Sequence, residues 1–323
     1  MKRKVIRGFR PLLGVSLLLV LAGCSTTTGT ATGADGSEAP ATAVSTSDSA
    51  ATTDQQVAAN KKAAQDFYDL AFNQKKLEEA AQKYLAADYL QHNPGVADGA
   101  AGFTAGIGAL LKANPQLKAT THRVIGQADL VGLQTEMTAK PGGSSQSVMD
   151  IFRFDGQGKI VEHWDAIQDV PAKSANGHTM FDGPTEVAPV TASVLQKNTE
   201  TVRSFLDLAF NQAKAQQAVD NFVGEQYLQH NPLIADGKEA FVKAFAGASP
   251  LTGAAATKFP RTIAEGDFVM AQTFAPAESG AGGSGSIDIF RLDADGKIVE
   301  HWDAVQDYPA KTVSGHTVWD SGK

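Results

Sequence analysis

The sequence is poor in cysteine and in aromatic residues. Its 323 residues include one cysteine, and aromatic side chains make up 7% of the chain. A single cysteine cannot form an internal disulfide, so outside the reducing cytoplasm this protein has to be stabilised by packing alone. The proportions of hydrophobic residues (42%) and charged residues (20%) are typical of globular domains and exclude a polytopic membrane protein.

Positive charge is also scarce, and much of it lies at one end. Five of the 28 Lys and Arg residues occur in the first ten positions, so a chain that begins at Cys24 keeps 23 of them against 35 Asp and Glu, a formal net charge of −12. An acidic surface repels nucleic acid and anionic lipid headgroups. The glycine-rich strings "PGGSS" and "SGAGGSG" neither precede a helix nor contain the lysine of a phosphate-binding loop. The sequence therefore predicts no nucleic-acid partner and no cofactor.

The N-terminus has the order of a secretory signal. "MKRKVIRGFR" is basic, and "PLLGVSLLLVLAG" is an apolar run shorter than the about 20 residues that a transmembrane helix needs. The next residue is Cys24, and "LAGC" resembles the bacterial lipobox. The resemblance implies that residues 1–23 are removed, that Cys24 carries lipid, and that the protein is anchored outside the cytoplasm on the inner or outer membrane. An ordinary signal peptide with a chance cysteine is the alternative.

Beyond the predicted signal, the chain consists of a tether followed by two tandem copies of one domain. Residues 24–57, rich in Thr, Ala and Ser, are predicted to be disordered. The strings "DLAFNQ", "YLQHNP", "DIFR", "GKIVEHWDA" and "GHT" each recur 138 residues later. We name residues 58–183 repeat 1 and residues 194–323 repeat 2, with a linker at 184–193. Each repeat is long enough for a domain, and we expect the two to pack as an internal pseudo-dimer.

Each repeat begins with helical periodicity and ends with strand character. In repeat 1, apolar spacing predicts a helix that contains "DFYDLAF", a second helix over "LEEAAQKYLAADYL" that ends before "QHNP", and a third over "GFTAGIGALLKA". Four strands follow, the last two joined by the tight turn "DGQG". Repeat 2 contains a counterpart of each segment. Helices followed by an antiparallel meander indicate an α+β domain.

The order of these motifs resembles a known family. Helices and then a sheet, with "YLQHNP", "ADG", "DIFR" and "GKIVEHWDA", resemble the SnoaL-like polyketide cyclases of the nuclear-transport-factor-2-like superfamily. The resemblance covers nearly all of both repeats. It implies two cone-shaped α+β barrels, each with a pocket between sheet and helices, and an aldol cyclisation that uses an aspartate as general acid and base. Related cones include isomerases and proteins without catalytic activity, so the fold alone does not decide the function.

The repeated string "EHWD" contains the candidate catalytic residues. Residues two apart on a strand share a face, so His163 and Asp165 point the same way while Trp164 points the other way. A carboxylate beside an imidazole in a pocket is suited to removing a proton α to a carbonyl group. We predict Asp165 and Asp303 as bases and His163 and His301 as donors or orienting groups. Six further residues are predicted to bind the ligand: His92 and His230 as donors or orienting groups, and Tyr89, Asn93, Tyr227 and Asn231 at the mouth of each pocket.

Other interpretations remain open at this stage. Asp165 could cap a backbone amide at a strand end while Trp164 packs under the helices, and "HNP" could be only a helix-terminating turn. Two histidines and an aspartate in each repeat could bind a metal ion, but no close metal-binding spacing supports this, and we predict no metal site. We therefore expect a cyclase, lyase or isomerase that acts on a small carbonyl compound, with a small apolar or carbonyl-containing molecule as the ligand. The alternative is a non-enzymatic module that binds a ligand or a partner in the cell envelope.

Overall fold

The computed structural model describes residues 53–277 and 282–320. The predicted signal, the lipidation site at Cys24 and nearly all of the predicted tether lie outside these residues. Repeat 1 comprises α1 (Asp54–Tyr68) with a π-helical turn (Asp69–Asn73), α2 (Leu77–Tyr84), β1 (Leu85–Gln91), α3 (Gly99–Ala113), β2 (Lys118–Gln127), β3 (Leu130–Thr138), β4 (Ser145–Phe154) and β5 (Ile160–Asp169). Among the described residues, no helix has the length and apolar character needed to cross a bilayer.

Repeat 2 has the same order of elements. It comprises α4 (Ala192–Leu206) with a π-helical turn (Asp207–Asn211), α5 (Ala215–Phe222), β6 (Val223–Gln229), α6 (Lys238–Ala244), a short 3₁₀ turn (Gly253–Ala255), β7 (Lys258–Glu265), β8 (Phe268–Pro276), β9 (Gly283–Leu292) and β10 (Ile298–Tyr308). The two sheets have the strand orders β1-β5-β4-β3-β2 and β6-β10-β9-β8-β7. The α+β class predicted from the sequence is confirmed.

The prediction for the second helix is wrong in its C-terminal half. Helix α2 ends at Tyr84, and the next seven residues form β1, which pairs in parallel with β5. Each sheet is therefore mixed and has five strands rather than four. The apolar spacing of "LEEAAQKYLAADYL" fits a continuous helix, but pairing with a strand about 70 residues further along the chain overrides that local preference. Consequently "HNP" follows a strand and does not terminate a helix.

Each sheet is covered on both faces, which explains its long buried strands. On β4, Val148 and Phe152 pack with the helices of repeat 1, whereas Met149 and Ile151 face the other way and join a cluster with repeat 2. Alternate residues of a strand point to opposite faces, so the strand is buried along nearly its whole length. The helix-facing side positions the candidate site.

The two repeats pack through the sheet faces that point away from their helices. Both repeats belong to one compact unit, and the cluster between them includes Trp164, Trp302 and Met270. Gly132 on β3 leaves room for Met270, the residue at the same repeat position in repeat 2; a Cβ atom at Gly132 would overlap the Met270 side chain. The interface is therefore complementary rather than strictly symmetric. Trp164 and Trp302 are fully buried here, between the sheets and not under the helices.

Candidate functional site

A cavity of about 190 Å³ lies between the sheet and the helices of repeat 1. Strand β5 contributes His163 and Asp165 to its wall, as the alternation of side chains predicts. Most of the wall is apolar and comes from α1, α3, β3 and β4. The main apolar contributors are Phe67, Phe72, Phe103, Ile107, Leu110, Met137, Val148, Phe152 and Ile167.

His163 is held at both ring nitrogens. Its Nδ1 donates to Gln91 Oε1 at 2.8 Å, and its Nε2 lies 2.9 Å from Asp150 Oδ1. Burial on its own would lower the pKa of His163, but the hydrogen bond that His163 donates to Asp150 and the charges of Asp165 and Asp150 outweigh it and raise that pKa. Neither ring nitrogen of His163 is therefore left for a ligand.

Of the two carboxylate oxygens of Asp165, one accepts a hydrogen bond and the other has no hydrogen-bond partner among the described residues. Its Oδ2 accepts a hydrogen bond from Asn93 Nδ2 at 2.5 Å, whereas its buried Oδ1 has no hydrogen-bond partner. Burial raises the pKa of Asp165 to about 6, and the charge of Asp150 adds to this rise, while the positive charge of His163 opposes it. The carboxylate caps no backbone amide. An ionised acid with a free oxygen at a largely apolar cavity is a candidate general base.

Two tyrosine hydroxyls complete the polar part of the wall. Tyr68 on α1 donates to Asp150 Oδ2 at 2.7 Å, so it secures the carboxylate that holds His163. Tyr89 accepts a hydrogen bond from Gln91 Nε2 at 2.9 Å, which leaves its own hydrogen available to donate. Burial raises the pKa of both hydroxyls well above the usual value, so both are protonated at neutral pH.

Repeat 2 contains the same polar arrangement. His301 bonds Gln229 and Asp288 at 2.8 and 3.0 Å, and Asn231 donates to Asp303 Oδ2 at 2.7 Å. Asp303 Oδ1 is again buried without a partner, and burial raises the pKa of Asp303 to about 6. Tyr227 takes the place of Tyr89 and pairs with the side chain of Gln229 at 3.4 Å.

Four of the six residues predicted to line the pockets lie at these sites, and two do not. Tyr89 and Asn93 line the cavity of repeat 1, and Tyr227 and Asn231 occupy the matching positions of repeat 2. His92 and His230 face the contact between the repeats, so their predicted role as donors or orienting groups for a ligand in the pockets is wrong. The ring of His92 stacks on Trp164, and that of His230 stacks on Trp302.

Both ring nitrogens of these two histidines are satisfied within the protein. Nε2 of His92 bonds Glu162 at 2.9 Å, and Nε2 of His230 bonds Glu300 at the same distance. Because "QHNP" follows a strand, the side chain of the histidine points to the opposite face from those of its neighbours Gln91 and Asn93. The metal site of two histidines and an aspartate considered from the sequence therefore does not form.

A different group of possible metal ligands does come together in each repeat. Ligand atoms of Asp150, His163 and Asp165 lie within 4.8 Å of one another, as do those of Asp288, His301 and Asp303. In both groups the histidine already bonds a glutamine and an aspartate through its two nitrogens. Only one oxygen of the second aspartate is free of partners, so the arrangement fits an acid–base pair better than a metal centre.

Sequence reasoning missed three residues that build the site of repeat 1. Gln91 and Asp150 lie in the repeated strings "YLQHNP" and "DIFR", and their repetition is a signal that could have identified them. Tyr68 had no such signal, because the matching residue of repeat 2 is Leu206. Only the approach of α1 to β4 brings the Tyr68 hydroxyl to Asp150.

Several solved structures are similar to parts of this chain. A candidate polyketide cyclase from Bacillus cereus ATCC 10987 is 20% identical, with 36% of this chain and 78% of that chain covered and a TM-score of 0.32. IdmH, a candidate polyketide cyclase from Streptomyces antibioticus, is 19% identical over 33% of this chain and 91% of its own, with a TM-score of 0.29. A candidate isomerase of the SnoaL-like family from Agrobacterium tumefaciens C58 is 14% identical over 35% and 98%, with a TM-score of 0.31. No curated protein matches the chain.

The match to a protein family is more extensive. The sequence profile of the SnoaL-like domain matches residues 64–163 and again residues 202–301, which together make up more than half of the chain. Each match begins in the first helix of a repeat and ends at the histidine of "EHWD" on its last strand. The chain therefore belongs to the SnoaL-like family, of which it contains two tandem domains.

Proposed function

We propose that the cavity of repeat 1 is the active site of an isomerase- or aldol-cyclase-type enzyme that acts on a small apolar carbonyl compound. The observation that carries the proposal is the state of Asp165. Its carboxylate is buried at the cavity wall, one oxygen has no partner, and burial raises its pKa to about 6. A base with a pKa near the working pH is both ionised and strong enough to accept a proton from carbon.

In the proposed reaction, Asp165 Oδ1 accepts a proton from the carbon α to the carbonyl group. The electrons of the broken C–H bond form the enolate, whose negative charge is on the carbonyl oxygen. Tyr89 is the proposed donor to that oxygen, because its hydroxyl hydrogen is available in the described hydrogen-bond network. Return of the proton at another carbon gives an isomerisation. Attack of the enolate carbon on a second carbonyl of the same molecule forms a C–C bond and closes a ring, and the proton held by Asp165 then passes to the alkoxide left on the second oxygen, as in an aldol cyclisation.

The size and lining of the cavity restrict the substrate. An apolar cavity of about 150 Å³ is large enough to hold benzene. The cavity of repeat 1, at about 190 Å³, therefore suits a compound with one ring or an open chain of similar size. The aromatic and aliphatic wall favours a substrate whose only polar group is its carbonyl region.

The proposal is tested by following exchange of α-hydrogens for deuterium in a panel of small apolar ketones and enones in D₂O. Enolisation is the first step of either reaction, so this measurement detects both. In the Asp303→Asn background, which removes any contribution of repeat 2, we expect Asp165→Asn to lower the exchange rate by about 10²–10⁴-fold. The rate of the unmodified protein is expected to rise with pH through about 6 and then level off, because the ionised carboxylate is the active form.

Matched variants separate the outcomes of this experiment. Asp303→Asn measures the share contributed by repeat 2, since Asp303 has the same environment. Exchange that persists in the double variant would contradict the proposal. Binding of a ketone without any exchange in the unmodified protein would favour the alternative of a non-enzymatic binding module.

We also propose that the protein is held at a bacterial membrane, outside the cytoplasm, through a lipid on Cys24. The support is the basic, apolar and "LAGC" order of the first 24 residues. Labelling cells with a fatty-acid analogue should mark the protein, and Cys24→Ala should abolish the label. An unlabelled wild-type protein would contradict this proposal.

A further inference from the structure

The C-terminal segment of repeat 2 runs along repeat 1 and contacts the backbone of residues in and next to the candidate active site. We call residues 308–320 the second tail. The Tyr308 hydroxyl donates to the backbone carbonyl of Asp165 at 2.8 Å, and the Val313 amide donates to the carbonyl of Pro94 at 3.0 Å. Further along the tail, the carbonyl of Thr317 accepts a hydrogen bond from His92 at 2.5 Å, and that of Asp320 accepts one from Trp164 at 2.8 Å.

One contact of the second tail leads directly to the polar core of the site. His316 Nε2 bonds Asp98 Oδ2 at 2.9 Å, and the other oxygen of Asp98 accepts a hydrogen bond from the backbone amide of Gln91 at 2.8 Å. Asp98 thus closes the loop that leads from β1 to α3, and His316 holds Asp98 in place from the other repeat.

The loop closed by Asp98 carries the groups that orient the acid–base pair. The side chain of Gln91 accepts from His163 Nδ1 and from the backbone amide of Asn93, both at 2.8 Å. Asn93 in turn bonds Asp165. A continuous series of short hydrogen bonds therefore connects His316 in repeat 2 to Asp165 in repeat 1.

We infer that each site is completed by the tail of the other repeat, so that His316 is a positioning residue for the site of repeat 1 and His178 is one for the site of repeat 2. The contacts of the first tail, residues 174–182, reproduce those of the second. His178 bonds Asp236 at 2.8 Å, Asp236 accepts from the amide of Gln229 at 2.8 Å, and the carbonyl of Thr179 accepts from His230 at 2.8 Å. The geometry stands by itself, but its consequence for catalysis rests on the proposed function.

The exchange is unequal at two positions. Tyr308, whose hydroxyl donates to the backbone of Asp165, is matched by Val170 in repeat 1, which has no hydroxyl group. In the other direction, Asn176 of the first tail donates to the backbone carbonyls of Asn231 and Ile234, and its counterpart in the second tail is Ser314.

The test measures the titration of the two aspartates in the full chain by NMR of ¹³C-labelled carboxyl groups, with assignments from Asp165→Asn and Asp303→Asn. The groups that act on Asp165 are His163, Asp150, His92, Tyr68, Tyr89 and Tyr308. In His316→Ala the loop is freed, so water enters and lowers the midpoint of Asp165, while loss of the Asn93 hydrogen bond raises it. Because burial is the larger of the two causes, the midpoint should fall by about 0.5 pH unit or more. The midpoint of Asp303 should not move.

His178→Ala is the matched control and should produce the reverse pattern, with Asp303 shifted and Asp165 unchanged. Both histidines are partly exposed, so both variants should fold; circular dichroism verifies this. A second variant, Tyr308→Phe, keeps the ring and removes only the hydroxyl, and it should move Asp165 alone. Midpoints that stay in place, or that move together in every variant, would overturn the inference.

This outcome is separable from that of the proposed function. If the midpoints shift as expected but Asp165→Asn leaves deuterium exchange unchanged, the cross-repeat positioning holds and the catalytic proposal fails. If Asp165→Asn abolishes exchange while His316→Ala changes neither the midpoint nor the pH profile of exchange, the catalytic proposal holds and this inference fails.

Discussion

The sites of repeat 1 and repeat 2 have the same polar groups in different surroundings. Each has two aspartates, a histidine, a glutamine and an asparagine with hydrogen-bond lengths that agree within 0.2 Å. The two sites differ in the hydroxyl group that donates a hydrogen bond to Asp150 or Asp288, the aspartates that bond the site histidines. In repeat 1 it is Tyr68 from helix α1, whereas in repeat 2 Ser286 donates to Asp288 at 2.6 Å from the same strand.

The two sites differ more in the part of their walls that the helices form than in their polar groups. Helix α3 has 15 residues, whereas α6 has 7. Ile107 and Met137 in the cavity wall of repeat 1 correspond to Phe245 and Ala275 in repeat 2, and the ring of Phe245 lies 4.6 Å from that of Phe241. The polar groups lie mainly on the sheet, which the interface constrains, while the ligand-facing wall comes largely from helices that are free to vary. The two sites therefore share their polar groups and differ in the residues of the surrounding wall.

The largest effect should come from the part of the structure in which the repeats are most alike. Trp164 and Trp302 are fully buried, each donates its indole N–H to a tail carbonyl, and each lies under a guanidinium group, of Arg261 and Arg123 respectively. Replacing either tryptophan with Ala should cost about 3–5 kcal/mol of unfolding free energy. Urea denaturation of both variants tests the comparison. Costs that differ by more than about 1 kcal/mol would show that the interface is not equivalent on its two sides.

A smaller effect should appear in the pH dependence of stability. Asp165 and Asp303 have a folded-state pKa of about 6, above their value in the unfolded chain, so between about pH 4 and pH 6 the folded state binds more protons. Stability therefore falls as the pH rises through this window, by up to about 3 kcal/mol for each site, since one pKa unit corresponds to 1.36 kcal/mol. The raised pKa of His163 acts in the same direction, because the stability it adds at low pH is lost as the pH rises through that pKa.

The variants Asp165→Asn and Asp303→Asn no longer have a buried carboxyl group to ionise. Relative to the wild-type protein, both should therefore gain stability from pH 4 to pH 7. Thermal melts at several pH values measure the effect. Asp295→Asn, at an exposed turn, is the control and should show no such gain. A gain in stability for only one of the two variants would show that the two carboxylates are not equivalent.

The smallest effect is expected where the repeats differ. Tyr68→Phe leaves Asp150 Oδ2 without its donor, which should cost about 1–3 kcal/mol because the acceptor is a buried carboxylate. Ser286→Ala is the matched change in repeat 2 and should cost a similar amount or more, because it also removes the hydrogen bond between Ser286 and Thr273 at 2.7 Å. Urea denaturation of the two variants measures both costs. If Tyr68→Phe has no effect on stability, the two hydroxyls do not have the same role.

The sequence predicted the shared face of His163 and Asp165 better than it predicted the strand beside them. His163 and Asp165 share a face because strand periodicity is a local property, and the hairpin turn before β5 establishes that strand from neighbouring residues. Strand β1 was missed because its pairing with β5 is parallel and involves residues about 70 positions apart. Gln91, the residue of β1 that orients His163, was missed along with it.

By itself, the sequence determined the duplication, the α+β class and the two faces of the "EHWD" strand, because repeats, periodicity and turn residues are encoded over short stretches of chain. Which residues contact each face of that strand was decided by the tertiary structure alone. Nothing near "HNP" or "GHT" indicates that His92 bonds a tail carbonyl 225 residues away, or that His316 reaches Asp98 across the interface. Such contacts depend on the docking of two preformed sheets, and the energy of that docking is spread over the whole buried face.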